Sequence, residues 1–221
     1  MTHHDAELTK LKDKILGMAS VAESHVTRAV RALVERDDAV ARKVQEDDSI
    51  LDRDEIEVDD QVIHLLTKAP LAAELRLTLA AMKISQNLER VGDESVTISR
   101  RAIELGTEPQ LKPYIDIPRM AGIATGMLKD AISAFINREP EIARSVVRRD
   151  REVDELNRQL HRELSSFMVE RPTTISRCLH LMAISKSLER IADHATNIAE
   201  EVVYLYEAKD IRHSGEKENE A

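Results

Sequence analysis

Acidic side chains spaced four residues apart recur at matching places in this sequence. Asp48 and Asp52 form one such pair, and Glu89 and Asp93 form another within the segment LERVGD. Residues four apart lie on one face of an α-helix, so each pair would present two carboxylates side by side. Hard cations prefer oxygen ligands, and bridging carboxylates suit more than one ion. The spacing therefore predicts oxygen-rich sites for divalent or ferric ions.

Both pairs return about one hundred residues later. Each lies 17 to 23 residues from a proline, Pro70 in the first half and Pro172 in the second. In a helical hairpin with its bend at the proline, the two pairs of one half come to the same level along the bundle, because both helices rise about 1.5 Å per residue. Four carboxylates are thus expected to meet twice. We call them the first acid cluster (Asp48, Asp52, Glu89 and Asp93) and the second acid cluster (Asp150, Asp154, Glu189 and Asp193).

Gathering four like charges costs free energy. Two carboxylates in close contact repel by roughly 1 kcal/mol in water and by about 4 kcal/mol at an effective dielectric constant of 20. Arg90 and Arg190 are expected to offset part of this repulsion, and a bound cation would offset more. The alternative is a solvated helix face, on which acid pairs at this spacing are common. Duplication at matched levels favours the metal sites.

The elements that must position these acids are long helices. The chain of 221 residues has six glycines, six prolines and five aromatic residues, too few for a typical sandwich or barrel. Apolar residues alternate by three and four in the segments that carry the glutamates, which predicts seams for antiparallel neighbours. We predict an all-α fold of two tandem antiparallel three-helix bundles related by internal duplication. The expected helices span 8–35, 39–68, 72–106, 118–138, 140–169 and 173–212.

The bundles correspond to expected domains at 1–108 and 109–212, followed by a disordered polar tail at 213–221. Because each half has its own seam, we expect residues 1–108 to fold alone into a soluble helical fragment.

Composition narrows the class of protein. A net charge of −9 disfavours binding to nucleic acid through its phosphates. A single cysteine, Cys178, fits a reducing cytoplasm, and the N-terminus lacks the features of a signal peptide. Charges interrupt every apolar stretch before it reaches bilayer length. We therefore expect a soluble cytoplasmic protein.

Several segments together resemble the PhoU family, accessory regulators of bacterial phosphate uptake. The resemblance rests on DDSILD and RDREVD, on the two Leu-Glu-Arg-x-x-Asp segments, on ATNIAE, and on Pro70 followed by ELR. It covers residues 8 to about 212. It implies paired three-helix bundles in which each acid cluster holds a multinuclear metal cluster, iron first, with zinc, manganese or magnesium as alternatives.

The resemblance also implies partners and a role. The expected role is negative regulation of phosphate-starvation signalling, in which the protein couples the ATPase subunit of the phosphate ABC transporter to a membrane sensor histidine kinase. A homodimer or higher homo-oligomer is expected, attached to the membrane only through partners.

Some positions depart from the repeat or from the family. Asn197 and Glu200 share the face of Glu189, whereas the first half has Thr97 and Arg100 there, so the two sites need not hold the same number of ions. The family usually has aspartate where this chain has Glu74, and the second half reads ISR at the ELR segment.

Two alternatives stay open beside the regulator. A carboxylate-bridged metalloenzyme would need an internal substrate pocket, and the expected outward direction of the acids disfavours it. An inert helical scaffold predicts no stoichiometric metal. Histidines do not repeat between the halves, and only His194 next to Asp193 is a candidate ligand. No Glu-x-x-His, glycine-rich phosphate loop or paired nucleophile and base occurs, so we predict no enzymatic activity.

Overall fold

The structure is a computed structural model that describes residues 3–68 and 72–211. These residues form seven α-helices and one short 3-10 helix, and they contain no strand. The helices are α1 (His3–Glu35), α2 (Asp38–Asp47), α3 (Ser49–Leu66), α4 (Ala72–Gly106), α5 (Asp116–Asn137), α6 (Pro140–Glu170) and α7 (Ile175–Glu207), and the 3-10 helix is Pro172–Thr174.

Helices α1 to α4 form the first bundle, in which α2 and α3 together act as its second helix. The chain leaves α1 at Arg36, whose φ of 56° is left-handed. Asp37 then caps α2, because its carboxylate accepts the backbone N–H groups of Ala39 and Val40, both at 3.0 Å. An aspartate cap of this kind contributes about 1 kcal/mol. The sharp turn and the cap together fix the start of the antiparallel return.

The second bundle repeats this arrangement with α5, α6 and α7. Arg138 aligns with Arg36 and is also left-handed, with a φ of 62°. Pro140 begins α6 at the first helical position, where its fixed φ suits a helix and its missing N–H costs nothing. The same backbone turn thus separates the first two helices of each half.

Helices α4 and α7 pack along each other and join the two bundles, and α1 packs against α5. Residue numbers rise along α4 where they fall along α7, so the two helices are antiparallel. Three contacts define the register: Lys83 Nζ to Glu201 Oε1 at 2.9 Å, Asn197 Nδ2 to Asn87 Oδ1 at 3.3 Å, and Arg190 Nη1 to Glu94 Oε1 at 3.1 Å.

Gly92 allows α4 to approach the junction of α2 and α3 closely. A Cβ atom on Gly92 would lie 2.7 Å from Leu51 Cδ1 and 3.1 Å from Asp48 Oδ1. The second half has alanine, Ala192, at the position of Gly92. This residue is buried, and the residue that aligns with Leu51 is the smaller Val153. The missing side chain of Gly92 therefore leaves room for Asp48 to lie close to α4.

The buried apolar residues form one continuous cluster that includes side chains from both bundles. The face of α4 that meets α7 belongs to this core, so a fragment of residues 1–108 would expose apolar surface that the whole chain buries. The domain boundary and the folding of that fragment stay predictions.

The observed helices differ from the predicted ones at several ends. The second helix is interrupted at Asp48, where Leu51 N–H donates to Asp48 O at 2.9 Å in a tightened turn. Helix α1 begins at His3, earlier than predicted, and α7 ends at Glu207, because Ala208 adopts a left-handed φ of 55°. The predicted bend at Pro70 and the tail at 213–221 lie outside the described residues.

Within the described ranges, every helix is too short or too polar to cross a bilayer.

Candidate metal centres

The first acid cluster lies between α3 and α4. Asp48 occupies the junction before α3, and Asp52 follows one turn later. Glu89 and Asp93 lie in the middle of α4, with side chains that are 16% and 46% exposed. We expected outward-facing acids, but Glu89 is mostly buried, because its position flanks the apolar seam on the side that faces α3.

Burial and mutual repulsion raise the pKa values of two carboxyl groups in the first cluster. Burial raises the pKa of Asp48 to about 6, and the charges of Asp52 and Asp93 add to the shift. Burial also raises the pKa of Glu89 to about 7, with Asp93 the next cause and Asp52 a smaller one. Acids on α4 therefore act on acids of α3, as the matched levels predicted. All four carboxylates share one electrostatic site.

Arg90 partly neutralises the first cluster. Its Nη1 lies 2.9 Å from Asp93 Oδ2, and its Nε lies 3.4 Å from Glu89 Oε2. The expectation for Arg190 was wrong. This residue turns across the interface between α4 and α7 and pairs with Glu94 of the first half at 3.1 Å.

The second acid cluster lies between α6 and α7. Burial raises the pKa of Asp150 to about 6, with Asp154 and then Glu189 as the next causes. Burial likewise raises the pKa of Asp193 to about 6, followed by the charges of Glu189 and Asp150. Glu189 is 13% exposed and forms an ion pair with Lys186, which takes the compensating place that Arg90 has in the first half.

One buried carboxylate oxygen of the second cluster has no donor. Asp150 Oδ1 is shielded from solvent and lacks a hydrogen-bond partner. Thr196 lies nearby and weakly lowers the pKa of Asp150, but its hydroxyl forms no hydrogen bond of good geometry. A buried oxygen without a donor or cation loses its hydration without replacement. It is suited to a cation ligand.

Two acids near the first cluster were missed by sequence reasoning. Burial raises the pKa of Glu55, with Asp59 the next cause, and Glu55 in turn raises the pKa of Glu89. Asp59 Oδ1 is buried without a hydrogen bond. With Asp48 and Asp52 these residues form a row at spacings of four, three and four, which the helical period places on one face. That row was the available signal.

The second half has a polar layer without carboxylates in the corresponding place. Asn157 aligns with Glu55, and His161 aligns with Asp59. The Ser185 hydroxyl donates to Asn157 Oδ1 at 2.8 Å and lies 3.1 Å from His161 Nε2. Charge therefore extends along α3 in the first half but is replaced by hydrogen bonds along α6.

The predicted asymmetry at the opposite side of the clusters is present. Arg100 lies close enough to lower the pKa of Asp48, whereas its aligned residue Glu200 raises that of Asp150. The second cluster thus gains a fifth acid where the first gains a cation.

The donor chemistry fits a hard cation, because both sites supply half-buried carboxylates whose negative charge is only partly compensated. The described side chains are not arranged in a coordination geometry. Among the residues that the structure describes, no three histidine, cysteine, aspartate or glutamate side chains are arranged to hold one ion together. Each cluster is gathered within electrostatic range, while Arg90 and Lys186 draw individual carboxylates aside. The eight metal ligands stay predictions.

His194 has a structural partner. Its Nδ1 lies 2.9 Å from Asn87 Oδ1 across the interface between α4 and α7, and burial lowers its pKa. A half-buried, neutral, hydrogen-bonded histidine at a helix crossing positions the two helices. Cys178 is buried in the core, as expected for a packed thiol.

Known proteins are similar to this chain in sequence over both halves. The family model described as PhoU domain matches residues 15–102 and again residues 117–202. The chain is 37% identical to the phosphate-specific transport system accessory protein PhoU homolog of Pseudomonas putida, over 98% of this chain and 88% of the relative. It is also 37% identical to the homolog of the same description from Aquifex aeolicus, over 96% of each.

Solved structures agree with the fold. The crystal structure of PhoU from Pseudomonas aeruginosa superposes with a TM-score of 0.90 at 35% identity, over 93% of this chain and 99% of that one. The phosphate transport system regulatory protein PhoU from Streptococcus pneumoniae superposes with a TM-score of 0.89 at 26% identity, over 95% and 99%. With both halves matched and relatives aligned over nearly the whole chain, this protein belongs to the PhoU family.

Proposed function

We propose that this chain is a regulatory accessory protein of a bacterial phosphate transport system. The observation that carries the proposal is the match of both halves to the PhoU domain, together with relatives that bear this description over nearly their whole length. The finer role is negative regulation of phosphate-starvation signalling. In this role the protein contacts the ATPase subunit of the phosphate ABC transporter and a membrane sensor histidine kinase.

The acid clusters are the part of the molecule that we assign to metal. Asp48, Asp52, Glu89 and Asp93 would hold ions in the first half, and the second acid cluster would do so in the other half. A bound iron, manganese, zinc or magnesium cluster supplies positive charge that cancels carboxylate repulsion. Glu89 would then stay ionised at neutral pH, although burial raises its pKa to about 7 in the metal-free protein.

The protein acts by binding and not by catalysis. The clusters are rows of carboxylates on helix faces, and the described residues offer no nucleophile held by a base within them. We expect purified protein to hydrolyse neither ATP nor phosphate esters above background. Turnover that follows the protein through several purification steps and disappears in an Asp93→Ala variant would overturn this part of the proposal.

Complementation tests the regulatory role. A Pseudomonas aeruginosa strain that lacks its own PhoU protein should overexpress a phosphate-starvation reporter in high phosphate, and this chain should restore repression. A variant with Glu89→Ala, Asp93→Ala, Glu189→Ala and Asp193→Ala tests whether repression needs the clusters. Its control carries Glu46→Ala and Glu155→Ala, which remove acids that are exposed and outside both clusters.

The outcomes separate the alternatives. Repression by wild type and control but not by the cluster variant supports a metal-dependent regulator. Repression by all three supports a scaffold that works without metal. Failure of the wild type while the Pseudomonas aeruginosa protein restores repression would contradict the assigned role.

A further inference from the structure

Two arginines at aligned positions have different surroundings. Arg36 and Arg138 both end the first helix of their half with left-handed backbone. The Arg36 guanidinium donates to the carbonyl oxygens of Gly106 at 2.7 Å and Glu108 at 2.5 Å. In the described part of the chain, Arg138 has no ion pair and no side-chain hydrogen bond. Arg138 is therefore a candidate for binding an anion from outside the chain.

The chain itself covers the first position. The segment between α4 and α5 passes over Arg36 and also over Arg177, whose Nη1 donates to Pro109 O at 3.0 Å. Arg177 Nε lies 3.3 Å from Glu108 Oε2, so a carboxylate completes the neutralisation. Connecting residues therefore supply both carbonyl and carboxylate acceptors at this end of the molecule.

At the other end of the molecule, an open pocket is lined by three cationic side chains. Arg76 lines it with Arg138 and Lys12. The volume is about 390 Å³. The Arg76 Nε atom is buried without a hydrogen-bond partner. We call this site the basic pocket.

The basic pocket has an excess of positive charge. Burial lowers the pKa of Lys12, and the positive charge of Arg138 lowers it further. Glu74 is the one carboxylate among the described lining residues, so three cations leave a net charge of +2. This concentration of positive charge is notable in a protein whose net charge is −9.

The remaining walls are apolar. They are formed by Leu8, Leu77, Leu205 and the ring of Tyr206. The volume lies within the range of small-molecule sites, which combine apolar walls with a few polar groups that orient the ligand. An isolated inorganic anion would leave the apolar side unused. The pocket instead suits an anion attached to an organic group.

We propose that the basic pocket binds an organic phosphate monoester. A monoester carries a charge of about −1.5 to −2 at pH 7, which matches the excess of the pocket, and guanidinium groups pair with phosphate oxygens through directed hydrogen bonds. Arg138, Arg76 and Lys12 hold the phosphate, while the apolar wall contacts the organic part. The site lies apart from both acid clusters and does not depend on the regulatory role proposed above.

The test is calorimetry with AMP as the probe, using the full chain in excess chelator so that no metal ion at the acid clusters can bind phosphate. Wild type should bind AMP with a Kd below about 1 mM, and adenosine and inorganic phosphate should each bind at least about tenfold more weakly. No detectable binding of AMP, or adenosine binding equally well, would overturn the proposal. Equal binding of inorganic phosphate would overturn the assignment of the apolar wall.

The repeat provides a matched control variant. Arg138→Asn should weaken AMP binding about tenfold or more, since it removes a charge-assisted contact while asparagine tolerates the left-handed backbone. Arg36→Asn makes the same change at the covered end and should leave AMP binding unchanged. Lys12→Gln provides a second pocket variant, and circular dichroism confirms that each variant is folded. Equal weakening by Arg36→Asn and Arg138→Asn would contradict the assigned location.

Discussion

The two acid clusters occupy aligned positions but have different electrostatic neighbours. Around the first, Glu55 and Asp59 extend the negative charge along α3, while Arg100 opposes it. Around the second, the hydrogen-bonded side chains of Asn157 and His161 replace the two acids, and Glu200 adds a charge near Asp150. Duplication has kept the helix geometry and the eight acids, whereas the surrounding charges have diverged. We therefore expect two sites of similar position but unequal affinity.

The largest expected effect is on metal content. Glu89→Ala with Asp93→Ala should remove the metal of the first half, and Glu189→Ala with Asp193→Ala that of the second, because the clusters share no ligand. Elemental analysis of protein purified without an affinity tag should show each variant losing a different fraction of the total. Loss of all metal from either variant would mean that the two halves bind as one unit. Unchanged metal in both would mean that the acids form a solvated face.

The same variants should also change the melting temperature, in opposite directions with and without metal. In chelator, removing Glu89 and Asp93 should raise the melting temperature, since two repelling carboxylates are lost. With excess iron or manganese the order should reverse, because an ion that binds only the folded state stabilises it by mass action. Thermal melting under the two conditions gives the sign of each change. The same order in both conditions would contradict the assignment of these residues as ligands.

The next effect concerns the close packing of α4 against Leu51 at Gly92. Gly92→Ala should destabilise the protein by about 1 to 3 kcal/mol, because the added methyl overlaps Leu51. Combining it with Leu51→Val, which reproduces the Ala192 and Val153 pair of the second half, should recover part of the loss. Urea unfolding measures all three proteins. Independent, additive effects of the two substitutions would show that this contact does not set the spacing.

A smaller effect should distinguish the two left-handed arginines. Arg36→Asn should cost about 1 to 2 kcal/mol of unfolding free energy, because it leaves carbonyl groups at the end of α4 without their charged donor. Arg138→Asn should change stability by less than about 0.5 kcal/mol in ligand-free protein. Urea unfolding of the pair checks the difference. An equal cost would contradict the assignment of Arg138 to an open pocket.

The last effect is the dependence of stability on pH. Asp48, Glu89, Asp150 and Asp193 have raised pKa values in the folded protein, so the folded state binds more protons than the unfolded state between their ordinary values and about 6 to 7. The free energy of unfolding should therefore fall as pH rises through this window. In chelator, melting should occur a few degrees higher at pH 5 than at pH 8. A smaller slope in Glu89→Gln would assign part of it to the first cluster.

Much of the fold was predictable, because the repeat and the helical period are properties of the sequence itself. The matched levels of the acid pairs followed from counting residues on either side of a proline. The interruption at Asp48 could not be predicted in this way, because no proline or glycine marks it in the sequence. The partner of Arg190 was also hidden, because it lies on the other half, and its identity depends on the register between α4 and α7.

The antiparallel packing of α4 and α7 has the form of an isologous interface within one polypeptide. In a two-fold dimer of identical halves, the contact between Lys83 and Glu201 would recur between positions 101 and 183. Those positions hold Arg101 and Ala183, and Arg101 pairs with Glu104 of its own helix instead. Because the two halves are joined in one chain, α4 and α7 can carry different residues at the interface, which two identical subunits could not do. The linkage also keeps the two halves at a high effective concentration, so an interface with polar contacts persists at any dilution.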